Sequence, residues 1–82
     1  MSIPETWSFA DELACLLPEM RAFARSLARE VELADDLVQE ACLKAWQAIG
    51  TFQPGAPLRP WLFRILRNEY YQHARRAWRS SQ

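Results

Sequence analysis

The sequence predicts a compact all-α domain of three or four helices. Its 82 residues are 50% hydrophobic and include only two glycines, and strong helix formers such as Ala, Leu, Arg and Glu are frequent. No stretch alternates polar and apolar residues beside a hairpin turn, so strands are not expected. A chain of this length allows one domain with one modest core. We expect residues 10–79 to form that core unit, with residues 1–7 and 80–82 loose.

Two helices are predicted before residue 30. Ser8, followed by Asp11 and Glu12, is typical of a helix start, and this first helix is expected to end near Leu16. Pro18 suits the first position of a new helix that continues to residue 29. Its apolar residues recur at helical spacing and indicate a core helix with a solvated basic edge: Met20, Phe23, Ala24 and Leu27.

Residues 32–49 are predicted to form an amphipathic helix, with Gly50 as its C-cap. The polar side carries four residues that we call the acidic patch: Asp36, Gln39, Glu40 and Leu43. A single exposed leucine is ordinary in a globular protein. The acids and amides around Leu43 also suit a docking site for a basic helical partner. Both interpretations remain open at this point.

A stiff loop, residues 51–59, separates that helix from the last one, because Pro54, Gly55 and Pro57 all break helices. Phe52 in this loop is expected either to plug the core or to help wall a pocket. Pro60 is expected to begin the last helix. One face of that helix is apolar and predicts burial: Leu62, Ile65, Leu66 and Tyr70.

Another side of the last helix carries cations, one amide and two aromatic rings within an arc of roughly 80°. We call this set the arginine stripe: Trp61, Arg64, Asn68, Tyr71, Arg75 and Arg79. Nucleic acid would engage all three kinds of side chain, since phosphates take Arg, base edges take Asn and unstacked bases take aromatic rings. The alternative is a solvated amphipathic helix whose aromatics cover the edge of the core.

Charge is divided unequally along a chain that is neutral overall. Residues 1–40 carry nine acidic and three basic residues, a formal charge of −6. Residues 41–82 carry seven basic residues and Glu69, a formal charge of +6. This asymmetry predicts a polyanion as partner of the C-terminal half and a different partner for the N-terminal half.

Catalytic and metal-binding chemistry is not indicated. His73 is the only histidine and has no serine or cysteine suggested beside it. Asp35, Asp36 and Glu40 lack the turn glycine of a calcium loop, and no phosphate-binding glycine loop occurs. Cys15 and Cys42 are expected to be small core residues in a reducing compartment. No signal peptide or long apolar run is present, so we expect a cytoplasmic protein with no enzyme activity, cofactor or membrane contact.

Two motifs together resemble the second conserved region of bacterial sigma factors. They are residues 35–46 (DDLVQEACLKAW) and residues 59–68 (RPWLFRILRN), joined by the loop that contains Phe52. The resemblance covers roughly residues 10–79 and is strongest to the extracytoplasmic-function group, in its alphaproteobacterial general-stress-response branch. It implies a compact helical domain for transcription initiation.

The resemblance also implies partners and residue roles. The acidic patch would dock on the clamp-helix coiled coil of the largest subunit of core RNA polymerase. The later helix and the loop before it would recognise the promoter minus-ten element and hold its melted, single-stranded non-template strand. An anti-sigma factor is a further expected partner. The predicted DNA-binding residues are Phe52, Pro54, Gly55, Ala56, Leu58, Arg59, Trp61, Arg64, Asn68, Tyr71, Arg75, Arg76 and Arg79.

Two departures from the family pattern and two rival functions accompany this interpretation. Pro60 stands where this branch more often has a small helix former, and we expect the second promoter-reading domain to be absent.

A sigma mimic that only titrates an anti-sigma factor would keep the acidic patch but could lose the arginine stripe, which is present here. A helix-turn-helix repressor would need a short turn in place of the proline-rich loop.

Overall fold

The computed structural model describes residues 8–53 and 55–81. It contains three α-helices: α1 (Phe9–Leu27), α2 (Val31–Gln47) and α3 (Leu58–Ser80). A short 3-10 turn, Ile49–Thr51, follows α2. The described residues contain no strand, and the predicted all-α fold is confirmed with three α-helices.

The core lies where the three helices meet. Every helix contributes buried side chains, and the largest that are fully buried are Met20, Leu58, Leu62 and Leu66. Burying a side chain of this size stabilises a fold by about 1.5–3 kcal/mol. Ala24, Ala41 and Ala45 are also buried, and their small side chains let the helices approach closely. The predicted core positions Ile65 and Tyr70 pack against this core but remain partly exposed.

Helix α1 is continuous, and the predicted break near Leu16 is wrong. Its N-cap is Ser8, whose hydroxyl accepts a hydrogen bond from the Asp11 N–H (3.4 Å), and the helix runs through Pro18 without interruption. A proline inside a helix costs about 3 kcal/mol, through a lost hydrogen bond and a ring clash. Leu13 and Met20 are buried on either side of Pro18. Their burial against the other helices offsets this cost.

The connection from α2 to α3 differs from the predicted one in detail. Helix α2 ends at Gln47, and Gly50 lies in the 3-10 turn, so Gly50 is not its C-cap. Gly55 is the glycine that needs conformational freedom, since its φ of +91° is strained for other residues. Helix α3 starts at Leu58, which places Pro60 within the first turn. Proline is tolerated there because the first N–H groups of a helix have no helical acceptor.

The two cysteines do not share the predicted core position. Cys15 is exposed on α1, which contradicts the expectation of a core residue, and Cys42 is partly buried on α2. Burial raises the pKa of the Cys42 thiol, and the nearby charge of Arg21 partly opposes this shift. Of the helices described, none is long and apolar enough to cross a membrane.

Candidate docking and nucleic-acid interfaces

The acidic patch forms an exposed surface on α2. Asp36, Gln39 and Glu40 are exposed, and Leu43 is 53% exposed between them in the helical projection. Their spacing of three and four residues places them on one side of the helix. An apolar side chain with an acidic surround offers a docking surface to a basic partner.

The polar part of the arginine stripe also forms an exposed surface, on α3. Arg64, Asn68 and Arg75 are exposed, as is Arg79 in the last turn. The ring of Tyr71 is 53% exposed among them. Because these residues follow one another at three- and four-residue intervals, they present guanidinium, amide and ring on one track about 20 Å long.

Trp61 differs from the rest of the stripe because it belongs to an aromatic cluster. Its ring centroid lies 5.0 Å from that of Phe52 and 6.1 Å from that of Phe9. Phe9 in turn packs edge-on against Trp46, at 5.0 Å. Phe52 is partly buried and packs at the edge of the core. The cluster therefore joins the start of α1, the end of α2, the loop and the start of α3.

The predicted loop residues do not all reach the surface. Gly55 and Ala56 are exposed, whereas the side chain of Leu58 is 1% exposed and lies in the core. Arg59 is tied to α1, since its Nε donates a hydrogen bond to Glu19 Oε2 (3.2 Å). The predicted contact at Pro54 lies outside the described residues.

Arg76 lies apart from the arginine stripe, in a groove of about 670 Å³ between α2 and α3. His73 and Arg76 line this groove together with Asp36 and Glu40 of the acidic patch. A second groove, of about 710 Å³, lies on the other side of α2, where Arg21 and Arg25 of α1 face Asp36. The acidic patch thus stands between two grooves with basic side chains on their far walls.

The family can now be assigned from the sequence. The family model for sigma-70 region 2 matches residues 13–80, which include the helices that carry both surfaces. The chain belongs to this family. The predicted resemblance is confirmed.

Relatives within this sigma-factor family agree with the assignment. The chain is 50% identical over 66 residues to an ECF RNA polymerase sigma factor, EcfG, of Rhodopseudomonas palustris. It is 34% identical over 64 residues to a probable RNA polymerase sigma factor of Haemophilus influenzae. These matches cover 80% and 78% of this chain.

A solved structure has the same fold. It is the sigma factor RpoE in complex with the anti-sigma factor NepR from Bartonella quintana, which superposes with a TM-score of 0.83 at 46% identity over 88% of this chain. The chain spans 45% of that protein and 36% of the Rhodopseudomonas relative. The comparisons therefore concern one region of a longer sigma factor in each case.

One interaction between the two helices that carry these surfaces is not predicted from the sequence. Lys44 Nζ of α2 donates hydrogen bonds to Glu69 Oε2 (2.5 Å) and to Gln72 Oε1 (3.3 Å) of α3. Glu69 is 4% exposed, a buried acid in an otherwise basic half of the chain. Its position seven residues after Leu62, on the core side of α3, is the signal that could have revealed it.

Proposed function

We propose that this domain links core RNA polymerase to an opened promoter and has no catalysis of its own. In this proposal the acidic patch docks on the clamp helices of the polymerase, and the arginine stripe holds the single-stranded non-template minus-ten DNA. The observation that carries it is the presence of both surfaces, each exposed, on adjacent helices of one core. Since polymerase and promoter occupy the cytoplasm, we expect the domain to act there without a cofactor.

The polymerase side relies on an apolar anchor and complementary charge. Leu43 offers a side chain that a partner helix can cover, and Asp36 and Glu40 attract the basic residues of that helix. Charge at the rim mainly speeds encounter and fixes register, whereas truncation of a covered anchor raises the dissociation rate. Arg76 and His73 line the same groove as Glu40, so they border the surface that a partner would occupy.

The DNA side relies on the exposed groups of α3. Pulling a base out of the stack costs a few kcal/mol, and stacking on an aromatic ring returns about 1–3 kcal/mol per base. Tyr71 supplies an exposed ring, Asn68 an amide for base edges, and Arg64, Arg75 and Arg79 supply charge for phosphates. Binding should therefore weaken as salt rises.

An anti-sigma factor is a further proposed partner. The structural relative from Bartonella quintana was solved with an anti-sigma factor bound. We propose that a protein of that class binds this domain too, because covering either exposed surface would block transcription initiation. The alternative, a mimic that only titrates the anti-sigma factor, has less support because the arginine stripe is retained on the surface.

The experiment that tests the proposed function is fluorescence-anisotropy titration of single-stranded oligonucleotides that vary in the minus-ten region, over a salt series. We expect sequence-selective binding that weakens with salt. Asn68→Ala should lower the affinity for the preferred strand, while Arg25→Gln, an exposed change on α1, should not. Tighter binding to duplex than to single strand would favour a repressor. No binding to DNA at low salt, with anti-sigma binding intact, would favour the mimic.

A further inference from the structure

A small cleft between α1 and α3 lies beside the arginine stripe. It has a volume of about 230 Å³ and is lined by five residues that we call the phenylalanine cleft: Phe23, Pro60, Phe63, Arg64 and Arg67. The centroids of its two phenyl rings are 5.1 Å apart, with an angle of 37° between their planes. Both rings are partly exposed, and both arginines are exposed.

The cleft is strongly basic. Arg64 and Arg67 form no ion pair within residues 8–53 and 55–81. A third guanidinium, that of Arg59, lies 5.1 Å from the centroid of the Phe63 ring. The nearby Glu19 is held by Arg59 at 3.2 Å, so this acid is already paired. The two arginines on the cleft therefore offer their charge to an anion from outside the chain.

An aromatic floor with a cationic rim selects a particular kind of ligand. The floor accepts a flat ring by stacking, and the rim accepts a phosphate. The volume is below the roughly 300–1,000 Å³ of pockets that hold drug-sized ligands, so one base fits better than a larger group. The two larger grooves beside α2 carry acids as well as bases and do not share this character.

The phenylalanine cleft is continuous with the proposed DNA track. Arg64 belongs both to the arginine stripe and to the cleft. Pro60 and Arg67 lie next to the stripe on the helical projection of α3, and Phe23 comes from α1. A strand whose phosphates contact Arg64 is therefore within reach of the Phe63 ring.

We propose that the phenylalanine cleft captures one nucleotide of the single strand that follows the arginine stripe. The base stacks against Phe63, and its phosphate lies between Arg64 and Arg67. This site is distinct from the loop and the Phe52–Trp61 pair. The inference rests on the proposed function, since it requires that the domain binds single-stranded DNA.

The test is an abasic scan of the preferred oligonucleotide, in which the base is removed at one position at a time. For the wild-type domain, removal of the base at one position should lower the affinity about fivefold or more, because that base no longer stacks in the cleft. Phe63→Leu keeps an apolar side chain at the α1–α3 contact and removes the ring. It should weaken binding to the intact strand by the same factor. Removal of the base at that position should then cause no further loss of affinity.

Arg67→Gln provides a second variant that leaves the buried packing untouched, because Arg67 is exposed. It should weaken binding. It should also reduce the salt slope, which is the slope of the logarithm of the binding constant against the logarithm of the salt concentration, by about 0.7, the value for one phosphate of a single strand. It should also reduce the penalty of the same abasic position. Arg25→Gln, on the opposite side of α1 in the groove beside α2, is the matched control and should change neither quantity.

Three outcomes would overturn the proposal, and they differ from failure of the proposed function. One is a Phe63→Leu domain that folds and still responds to every abasic position as the wild type does. Another is an Arg67→Gln domain with a reduced salt slope and an unchanged abasic profile, which would make the cleft a phosphate contact only. A third is loss of polymerase or anti-sigma binding with DNA affinity intact, which would assign the cleft to a protein partner. Absence of any single-strand binding by the wild type would instead contradict the proposed function.

Discussion

The ammonium group of Lys44 lies 2.5 Å from the carboxylate of Glu69 and joins α2 to α3 through the edge of the core. The Glu69 side chain is 5% exposed and that of Lys44 is 42% exposed, so the acid is desolvated while its partner still contacts water. The pair lies in the groove that Asp36 and Glu40 of the acidic patch also line. It fixes how the two helices, and so the two surfaces, are placed relative to each other.

Removing one member of this pair is predicted to destabilise the fold. Lys44→Met should lower the free energy of unfolding by about 2–3 kcal/mol, less than the 3–5 kcal/mol for a fully buried pair because Lys44 is partly solvated. Urea unfolding followed by circular dichroism measures this change. The double variant Lys44→Met with Glu69→Leu should recover most of the loss, because no unpaired charge stays buried. A double variant as unstable as Lys44→Met alone would contradict this account.

Trp61 and Asn68 are predicted to differ although both belong to the arginine stripe. Trp61→Ala should lower the free energy of unfolding by about 1–3 kcal/mol, because it removes ring contacts with Phe9 and Phe52, and should also weaken DNA binding. Asn68→Ala should weaken binding to single-stranded DNA by about 1–3 kcal/mol and leave stability unchanged, since Asn68 is exposed. Urea unfolding and anisotropy titration separate the two effects. If Trp61→Ala is as stable as Asn68→Ala, the ring contacts of Trp61 do not stabilise the fold.

The acidic patch offers a matched comparison on one helix. Leu43 and Val31 are each 53% exposed, but only Leu43 lies within the patch. Leu43→Ala should raise the dissociation constant for core polymerase about fivefold or more, as truncation of an interface anchor typically does, and Val31→Ala should not. Glu40→Lys should weaken the complex, because it reverses a charge that attracts the basic residues of the partner helix. Biolayer interferometry measures binding, and circular dichroism checks helicity; equal losses for Leu43→Ala and Val31→Ala would count against a specific patch.

The two cysteines are predicted to differ in reactivity. Cys15 is exposed and should react first with a thiol reagent, whereas Cys42 is partly buried with a raised pKa. Because the thiolate is the reactive form, modification of Cys42 should need a higher pH than that of an ordinary thiol. A raised pKa in the folded state also means that its contribution to stability is present at low pH and is lost as pH rises through the thiol range. Mass spectrometry after alkylation at several pH values tests this order, with Cys42→Ser as control.

Local periodicity was enough to predict the surfaces of single helices. The side of α2 that carries Leu43 and the side of α3 that carries Asn68 follow from spacing along one helix, and the structure exposes both. Pro18 is a strong local signal for a helix start, but packing on both sides of it keeps α1 continuous. The pairing of Lys44 with Glu69 spans 25 residues and depends on how α2 and α3 pack, which periodicity within one helix does not encode.

Residues at the borders of a helix face were the hardest to assign for the same reason. The sequence predicts Leu58 in the DNA-binding loop, but α3 begins two residues before the expected Pro60 and buries the Leu58 side chain. Phe63 lay outside both faces that the projection identified. Its cleft exists only because Phe23 of α1 packs beside it. A site formed by two helices cannot be read from either helix alone.

Arg75 and Arg76 give the sharpest separation of the two proposed interfaces, since they are neighbours in sequence on different sides of α3. Arg75 lies on the arginine stripe, while Arg76 lines the groove that contains Asp36 and Glu40. Arg75→Gln should therefore weaken single-strand binding and reduce its salt slope by about 0.7. Arg76→Gln should leave DNA binding nearly unchanged and raise the affinity for core polymerase, because it removes a positive charge beside the patch that attracts a basic partner.

Both substitutions remove one positive charge from the same turn of α3, so each is the control for the other. Any effect of net charge alone, or of the helix dipole acting on a cation near the C-terminus, is shared by the pair. A difference between them must therefore come from the side of the helix on which each arginine lies. Anisotropy titration with the preferred single strand and interferometry with core polymerase give the four required affinities. If Arg76→Gln weakens DNA binding as much as Arg75→Gln does, the DNA path extends around α3 and the division into two interfaces is wrong.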